Sequence, residues 1–325
     1  MTDSMSRMNF FLVTDVIVLA LQALAIFFNT IVLFALYKVK KNTISIHLVM
    51  YLAITDLLHA IAISFYTIYL ILNWDPVRID MDPYAVVISA IPLTFQLKIN
   101  ITLTIAIALD RVSALYAPLQ YKMIPVKKYA TTALVTGIIF GLFDIMVEFC
   151  ISPIRRKVDC AAVGCFLSLR FRSYWGISNM VLGLIIIALT AIVLLRLQQM
   201  QTRSRGTRLS QANDLSKFAK ANKSSASFLL SSLVCLTIPS VIVGGAQLFG
   251  FSLFEYVGPF YLVGLLCAGC MNCIVYALFH SGLKKHLKSL AIEMGSNGLI
   301  RDVQKNSGST KTSSYTSRMH CELRQ

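Results

Sequence analysis

The chain has 325 residues, 56% of them hydrophobic and only 14% charged, with a mean hydropathy of +0.69. Soluble domains run at about 45–50% apolar and about 25% charged, so a water-soluble globule is excluded and a polytopic membrane protein is indicated. The net charge of +15 would suggest nucleic acid in a soluble protein; in a membrane protein it reflects Lys and Arg gathered in cytoplasmic loops, so no nucleic-acid partner is implied.

Taken in order, residues 1–9 form a short polar N-terminus containing Arg7. The apolar run from Phe10 to Tyr37 is too long for a signal-peptide core and lacks a clear small-residue cleavage site, so it reads as a signal anchor. A bilayer crossing needs about 20 residues. Seven runs reach that length, at 10–37, 45–73, 84–111, 129–151, 174–196, 225–250 and 258–280. With the N-terminus outside, 22 of the 30 Lys and Arg residues fall in cytoplasmic pieces, which fixes the orientation and puts the C-terminus in the cytosol.

Polar residues inside the spans carry the next inference. The first span holds Asn29 and the second holds Asp56. A lone carboxylate in lipid costs about 2.5–3.5 kcal/mol even on the lenient insertion scale. Asp56 is therefore expected to face the bundle interior, bonded to Asn29 or to a hydrated cation such as sodium. The third span holds Pro92, Lys98 and Asn100, and Lys98 lies 13 residues before Arg111. At about 1.5 Å per residue that is about 20 Å from the cytoplasmic end. So deep an ammonium needs a partner, and two readings stand side by side: an ion pair with Asp144 or Glu148 of the fourth span, or contact with an anionic ligand.

The connection after the fourth span carries Arg155, Arg156, Lys157, Arg170 and Arg172, a basicity that runs against the orientation rule. It either draws anionic solutes to the bundle mouth or is an ordinary solvated loop. Of the eight cysteines, only Cys160 and Cys165 are placed for an oxidising compartment. Cys267, Cys270 and Cys273 repeat along one helix face with no His or carboxylate beside them, which favours packing over a metal site. Two glycosylation sequons, at Asn100 and Asn222, fall in the membrane and the cytosol, where neither is used.

Leu197–Ser224 reads as basic helix extensions around a mobile middle, suited to anionic lipid or a cytosolic protein. The sixth span contains Pro239, which removes an intrahelical bond and predicts a kink, with Gly244 and Gly245 easing the bend. Asn272 and Tyr276 share a face of the seventh span. Residues 281–294 alternate Leu and Lys as a short amphipathic helix on the membrane surface, and 295–325 form a polar, disordered tail with Ser and Thr available to kinases.

The stretch Leu109–Tyr121, LDRVSALYAPLQY, makes the pattern specific. Asp110, Arg111, Ala114, Pro118, Leu119 and Tyr121 stand in the register of the Asp-Arg motif and second internal loop of rhodopsin-like G-protein-coupled receptors. Asn29, Asp56, Pro239, Asn272 and Tyr276 match that family's positions in their own helices. The resemblance covers residues 10–290. It departs at Val112, where an aromatic is usual, at Thr237 in place of a Trp, and at Cys273 in place of a Pro; the fourth span lacks Trp and the fifth lacks Pro. No Cys stands at the outer end of the third span, so the usual disulfide is missing and Cys160 with Cys165 becomes the candidate pair. These departures, and the segment CAAVGCFLSLRFRSYW, are similar to nematode serpentine chemoreceptors of class BC.

The resemblance implies an all-α membrane protein: a seven-transmembrane bundle in the plasma membrane, of a sensory cilium in a chemosensory cell. It implies a G protein coupled through Asp110, Arg111, Pro118, Leu119 and Tyr121, and a polar relay through Asn29, Asp56, Pro239, Asn272 and Tyr276. Arrestin or a kinase would act on the tail. Lys98, Arg155, Arg156 and Arg170 are the candidates for contact with a small anionic or amphiphilic ligand. The alternative is a transporter or channel for small anions, though no internal repeat supports it. The seventh span has no Lys to hold retinal, and no acid/base or nucleophile cluster suggests an enzyme.

Overall fold

The computed structural model describes residues 2–37, 43–76, 78–158, 160, 162–204, 226–249 and 260–279. The expected surface helix 281–294, the tail 295–325 and most of the basic connection, 205–225, lie outside the described residues. The described helices all belong to one compact unit, Met1–Phe279.

Seven long helices follow one another: α1 (Thr2–Tyr37), α2 (Ile44–Leu72), α3 (Pro83–Tyr116), α4 (Val126–Ile151), α5 (Leu169–Ser204), α6 (Ala226–Leu248) and α7 (Phe260–Phe279). Six are long and apolar enough to cross a membrane, and the described side chains of α7 form a further apolar stretch, Tyr261–Tyr276. This is an all-helical, multi-span membrane bundle. One-turn helices at Pro118–Tyr121 and Val163–Phe166 sit in the connections.

Local chemistry sets the helix ends. Asp82 caps α3 by accepting from the backbone N–H of Tyr84 at 3.2 Å, and Pro83 opens its first turn. Ser168 caps α5, its hydroxyl accepting from the N–H of Phe171 at 3.1 Å. The third helix does not stop at Arg111 as the apolar run suggested. It continues to Tyr116, because the first residue that forbids continuation is Pro118, which pushes Ala117 out of helical geometry. Asp110 and Arg111 therefore sit inside a helix, on a rigid wall.

The centre of the bundle is α3. Two-thirds (67%) of its most apolar window is buried, against 22% for α4 and for α5. It packs against α2, α4 and α5, while α1 packs on α2 and α7, and α6 on α5. At the end opposite Asp110, the connections fold inward. Ile79, Met81, Cys160, Phe166 and Leu167 are buried there, and the hydroxyl of Tyr66 accepts from the N–H of Val163 at 3.0 Å.

The expected kink in α6 takes a specific form. The stretch Leu233–Thr237 is a π-helical turn, immediately before Ile238 and Pro239. Pro239 has no N–H for the carbonyl four residues back, that of Cys235, and the wider turn absorbs the mismatch. The freed carbonyl faces α7: a Cβ on Gly264 would fall 2.6 Å from the Cys235 oxygen. Gly244 lets α6 approach α5, since a Cβ there would meet the Gly176 carbonyl oxygen at 2.6 Å.

Gly264→Ala should therefore lower the thermal midpoint of the purified protein, by an amount corresponding to about 1–3 kcal/mol of overpacking. Gly245→Ala meets nothing within 4 Å and should leave the midpoint unchanged or raise it. Equal melts for both variants would contradict this account of the α6–α7 approach.

Candidate functional site

Three polar clusters lie along α3. The first surrounds Asp110, which is 2% exposed. Its Oδ2 accepts from Arg111 Nε at 3.0 Å and Nη2 at 2.6 Å, and from the Ser45 hydroxyl at the start of α2 at 2.9 Å. Its Oδ1 accepts from the Tyr121 hydroxyl at 2.9 Å. One carboxylate thus ties together α2, α3 and the turn Pro118–Tyr121. Burial, with Asp110 beside it, pushes the Tyr121 phenol up from its ordinary value, which keeps it a donor at neutral pH. Pro118 and Leu119 face outward, Leu119 being 80% exposed. Arg196 of α5 lies over the Tyr116 ring at 5.1 Å and adds a fourth element to this end.

The second cluster surrounds Asp56. The sequence offered Asn29 or a hydrated cation as its partner; among protein groups the structure gives it two side-chain amides of α3 in place of Asn29. Asp56 Oδ1 accepts from the side-chain amides of Gln96 at 2.7 Å and Asn100 at 3.3 Å, both on α3. Asn29 instead donates to the Ala25 carbonyl at 2.8 Å and accepts from the Cys273 thiol at 3.2 Å. Asp56, Asn29, Asn272 and Cys273 do line one small cavity, at the lower limit of the space a single water needs. A sodium ion with its hydration shell does not fit that space. Among the described residues no group of three or more His, Cys, Asp or Glu is placed to hold a metal, the α7 cysteines included.

From this cluster, hydroxyls lead to α6 and α7. Thr104 and Ser232 lie 3.3 Å apart, and Ser231 donates to Asn272 Oδ1 at 2.9 Å. Tyr276 is buried one turn beyond Asn272.

The third cluster surrounds Lys98, 2% exposed. Its ammonium donates to Ser178 Oγ at 2.6 Å and Asn179 Oδ1 at 2.8 Å on α5, and pairs with Asp144 Oδ2 of α4 at 3.4 Å. Two hydrogen bonds thus run to α5, and the contact with Asp144 is an ion pair. The Tyr174 hydroxyl donates to Asp144 Oδ1 at 2.8 Å. Glu148 does not reach Lys98 as its bonded partner; it accepts from Thr94 at 2.9 Å. Of the two readings of Lys98, the internal pair with Asp144 is present, and Lys98 also lines a cavity beside it.

The remaining expected ligand contacts are not gathered here. Arg156 is largely exposed and donates to both oxygens of Asp80 at 2.8 Å, which holds the Asp80 carboxyl below its usual range. Arg155 and Arg170 are exposed, and neither lines the space beside Lys98. Cys160 and Cys165 are joined as a disulfide within the inward-folded connection. Sequence reasoning missed Gln96, Ser178, Asn179 and Tyr174. Gln96, Ser178 and Asn179 are polar interruptions of apolar runs, but nothing local says which ionisable residue each one meets.

A family model of the serpentine type 7TM GPCR chemoreceptor Srbc matches residues 8–281, most of the chain. No curated protein matches it.

Asp144→Ala should destabilise the solubilised protein by about 3–5 kcal/mol, because it leaves a buried ammonium without its counter-charge. The double variant Lys98→Met with Asp144→Leu should recover most of that loss in thermal melts. A double variant as unstable as the single one would show that packing, not the charge, governs the site.

Proposed function

We propose how this chain, which belongs to the Srbc family of serpentine seven-transmembrane G-protein-coupled chemoreceptors, turns an external chemical into an internal signal. A receptor of this family is not an enzyme, and the family match sets aside the transporter or channel alternative. The placement of Lys and Arg supports an N-terminus outside and an Asp110–Arg111 end in the cytosol, and the chemoreceptor reading favours the plasma membrane of a sensory cilium.

The observation that carries the mechanism is the shared carboxylate of Asp110. While it accepts from Arg111, Ser45 and Tyr121, the guanidinium is held against its own helix and the cytosolic end is tied shut. A heterotrimeric G protein needs Arg111 presented outward, with exposed Pro118 and Leu119 beside it. Ligand binding favours the arrangement in which those bonds part, and it can shift the population only by its differential affinity for the two arrangements. α6 moves about the π-turn before Pro239. Asn29, Asp56, Asn272 and Tyr276 form the polar interior that the movement rearranges. Arrestin or a kinase acts on the tail afterwards.

The ligand is a small amphiphilic molecule whose polar group meets the Lys98 cluster. An anion, the expectation from Lys98 and the basic connection, would have to compete with Asp144 for the ammonium. That competition is itself a way to couple binding to movement, since it frees α4 from α3. Lys98→Gln would then weaken responses to carboxylate ligands more than to their neutral analogues.

Arg111→Ala should abolish receptor-dependent nucleotide exchange on the G protein while surface expression is retained. Asp110→Asn weakens charge-assisted bonds, and a shift of about 1–2 kcal/mol should raise ligand-free exchange about 5–30-fold. Unchanged basal exchange in Asp110→Asn, with normal expression, would remove the lock from the mechanism.

A further inference from the structure

Beside the Lys98 cluster, between α3, α4 and α5, lies a cavity of about 360 Å³, within the range of small-molecule sites. Lys98, Asp144, Tyr174 and Ser178 form its polar floor. Its walls include Phe140, Phe143 and Val181, which are 45%, 50% and 49% exposed. These are outward faces of α4 and α5, so the cavity opens at the side of the bundle and not at its end. Asp144 is seven residues from the end of α4 and Ser178 nine from the start of α5, about 10 and 13 Å below those ends. In a hydrocarbon core about 30 Å thick, the opening faces acyl chains.

Access from the water at that end is obstructed by side chains. Phe171 stacks on Trp175, whose ring meets Tyr261 edge-on at 5.0 Å, and all three are buried. Phe166 and Leu167 of the inward-folded connection join the same hydrophobic core.

The floor also selects a head group. Lys98 and Asp144 neutralise each other and both face the cavity. An incoming carboxylate would be repelled by Asp144 and an incoming ammonium by Lys98, in surroundings where charge is weakly screened. A hydroxyl or amide group avoids both penalties. It can donate to Asp144 and accept from Lys98 or Ser178.

We propose that this side-opening cavity binds an uncharged amphiphile, an apolar chain bearing a hydroxyl or amide head, which reaches it through the bilayer. The proposal rests on the receptor reading only for what the site is for; binding itself is measured without signalling.

The full chain is reconstituted in phosphatidylcholine nanodiscs with three photoreactive probes. They share one diazirine-bearing alkyl chain and differ in the head: alcohol, carboxylate or quaternary ammonium. The alcohol should label segments 138–147 and 174–182 saturably, at least fivefold more than either charged probe, and excess unlabelled alcohol should compete. Val181→Trp, which fills the opening from α5, should cut that labelling at least fivefold with an unchanged melting curve. Val181→Phe is the smaller plug for the case in which Trp disturbs packing. Labelling indifferent to head group, or untouched by either plug, would mean ordinary annular lipid contact and overturn the proposal. Preference for the carboxylate would overturn it in favour of an anion site. If the alcohol labels as expected but leaves nucleotide exchange unchanged, the binding site stands and its role as the agonist site falls.

Discussion

A polar side chain carried into the membrane has to be satisfied by another helix, because lipid offers it nothing. In this chain the burden falls on α3. Gln96 and Asn100 reach Asp56 of α2, Lys98 reaches Asp144 of α4 and Ser178 and Asn179 of α5, Thr104 reaches Ser232 of α6, and Asp110 reaches Ser45 of α2. Each requirement names a neighbour. Apolar packing alone, which lipid tails supply almost as well as another helix, would leave the order of helices far less determined.

The same constraint explains what could be read from the sequence. The seven spans follow from length and hydropathy, and the Asp110–Tyr121 stretch from its register, since both are local patterns. Lys98 and Asp56 announced that they needed partners, but a need does not identify who meets it. Asp144 was within reach of the reasoning because opposite charges attract attention. Gln96, Ser178 and Asn179 were not, because neutral amides and hydroxyls look alike until the helices are placed. Asn29 was offered to Asp56 because it is the polar residue of the neighbouring span, yet the Cys273 thiol, where the family has a Pro, donates to the Asn29 oxygen. Pro239 was legible as a defect in α6; that a π-turn answers it, and that Gly264 of α7 packs against the freed carbonyl, no local signal contains.

The kinds of bond that hold each helix differ, and the difference bears on which one moves. α2 and α4 are tied to α3 through ionisable groups, Asp56 and Asp110 for α2 and the Lys98–Asp144 pair for α4. Among the described residues α6 meets α3 through a hydroxyl pair at 3.3 Å, and meets α7 and α5 through neutral groups such as the Ser231–Asn272 and Ser173–Gln247 bonds. Neutral bonds of this kind contribute about 0.5–1.5 kcal/mol each, and those to charged groups about 1.5–3. α6 is also the helix whose backbone ladder is already interrupted. Displacing it breaks neutral bonds and bends the chain where it is already bent.

Two ends of one helix can then be coupled without a continuous chain of contacts between them. Asp110 fastens α3 to α2 at one end and Lys98 fastens it to α4 and α5 nearer the other, with Asp56 bonded in between. A molecule that alters the Lys98–Asp144 balance changes the forces on a rigid rod, and the far end of the rod holds Asp110. α3 is continuous through Asp110 and Arg111 to Tyr116, so no break in the helix separates Lys98 from the carboxylate. Had α3 ended at Arg111, as its apolar run alone suggested, the pair would sit on a fraying terminus, and the shared carboxylate would have no firm wall to hold.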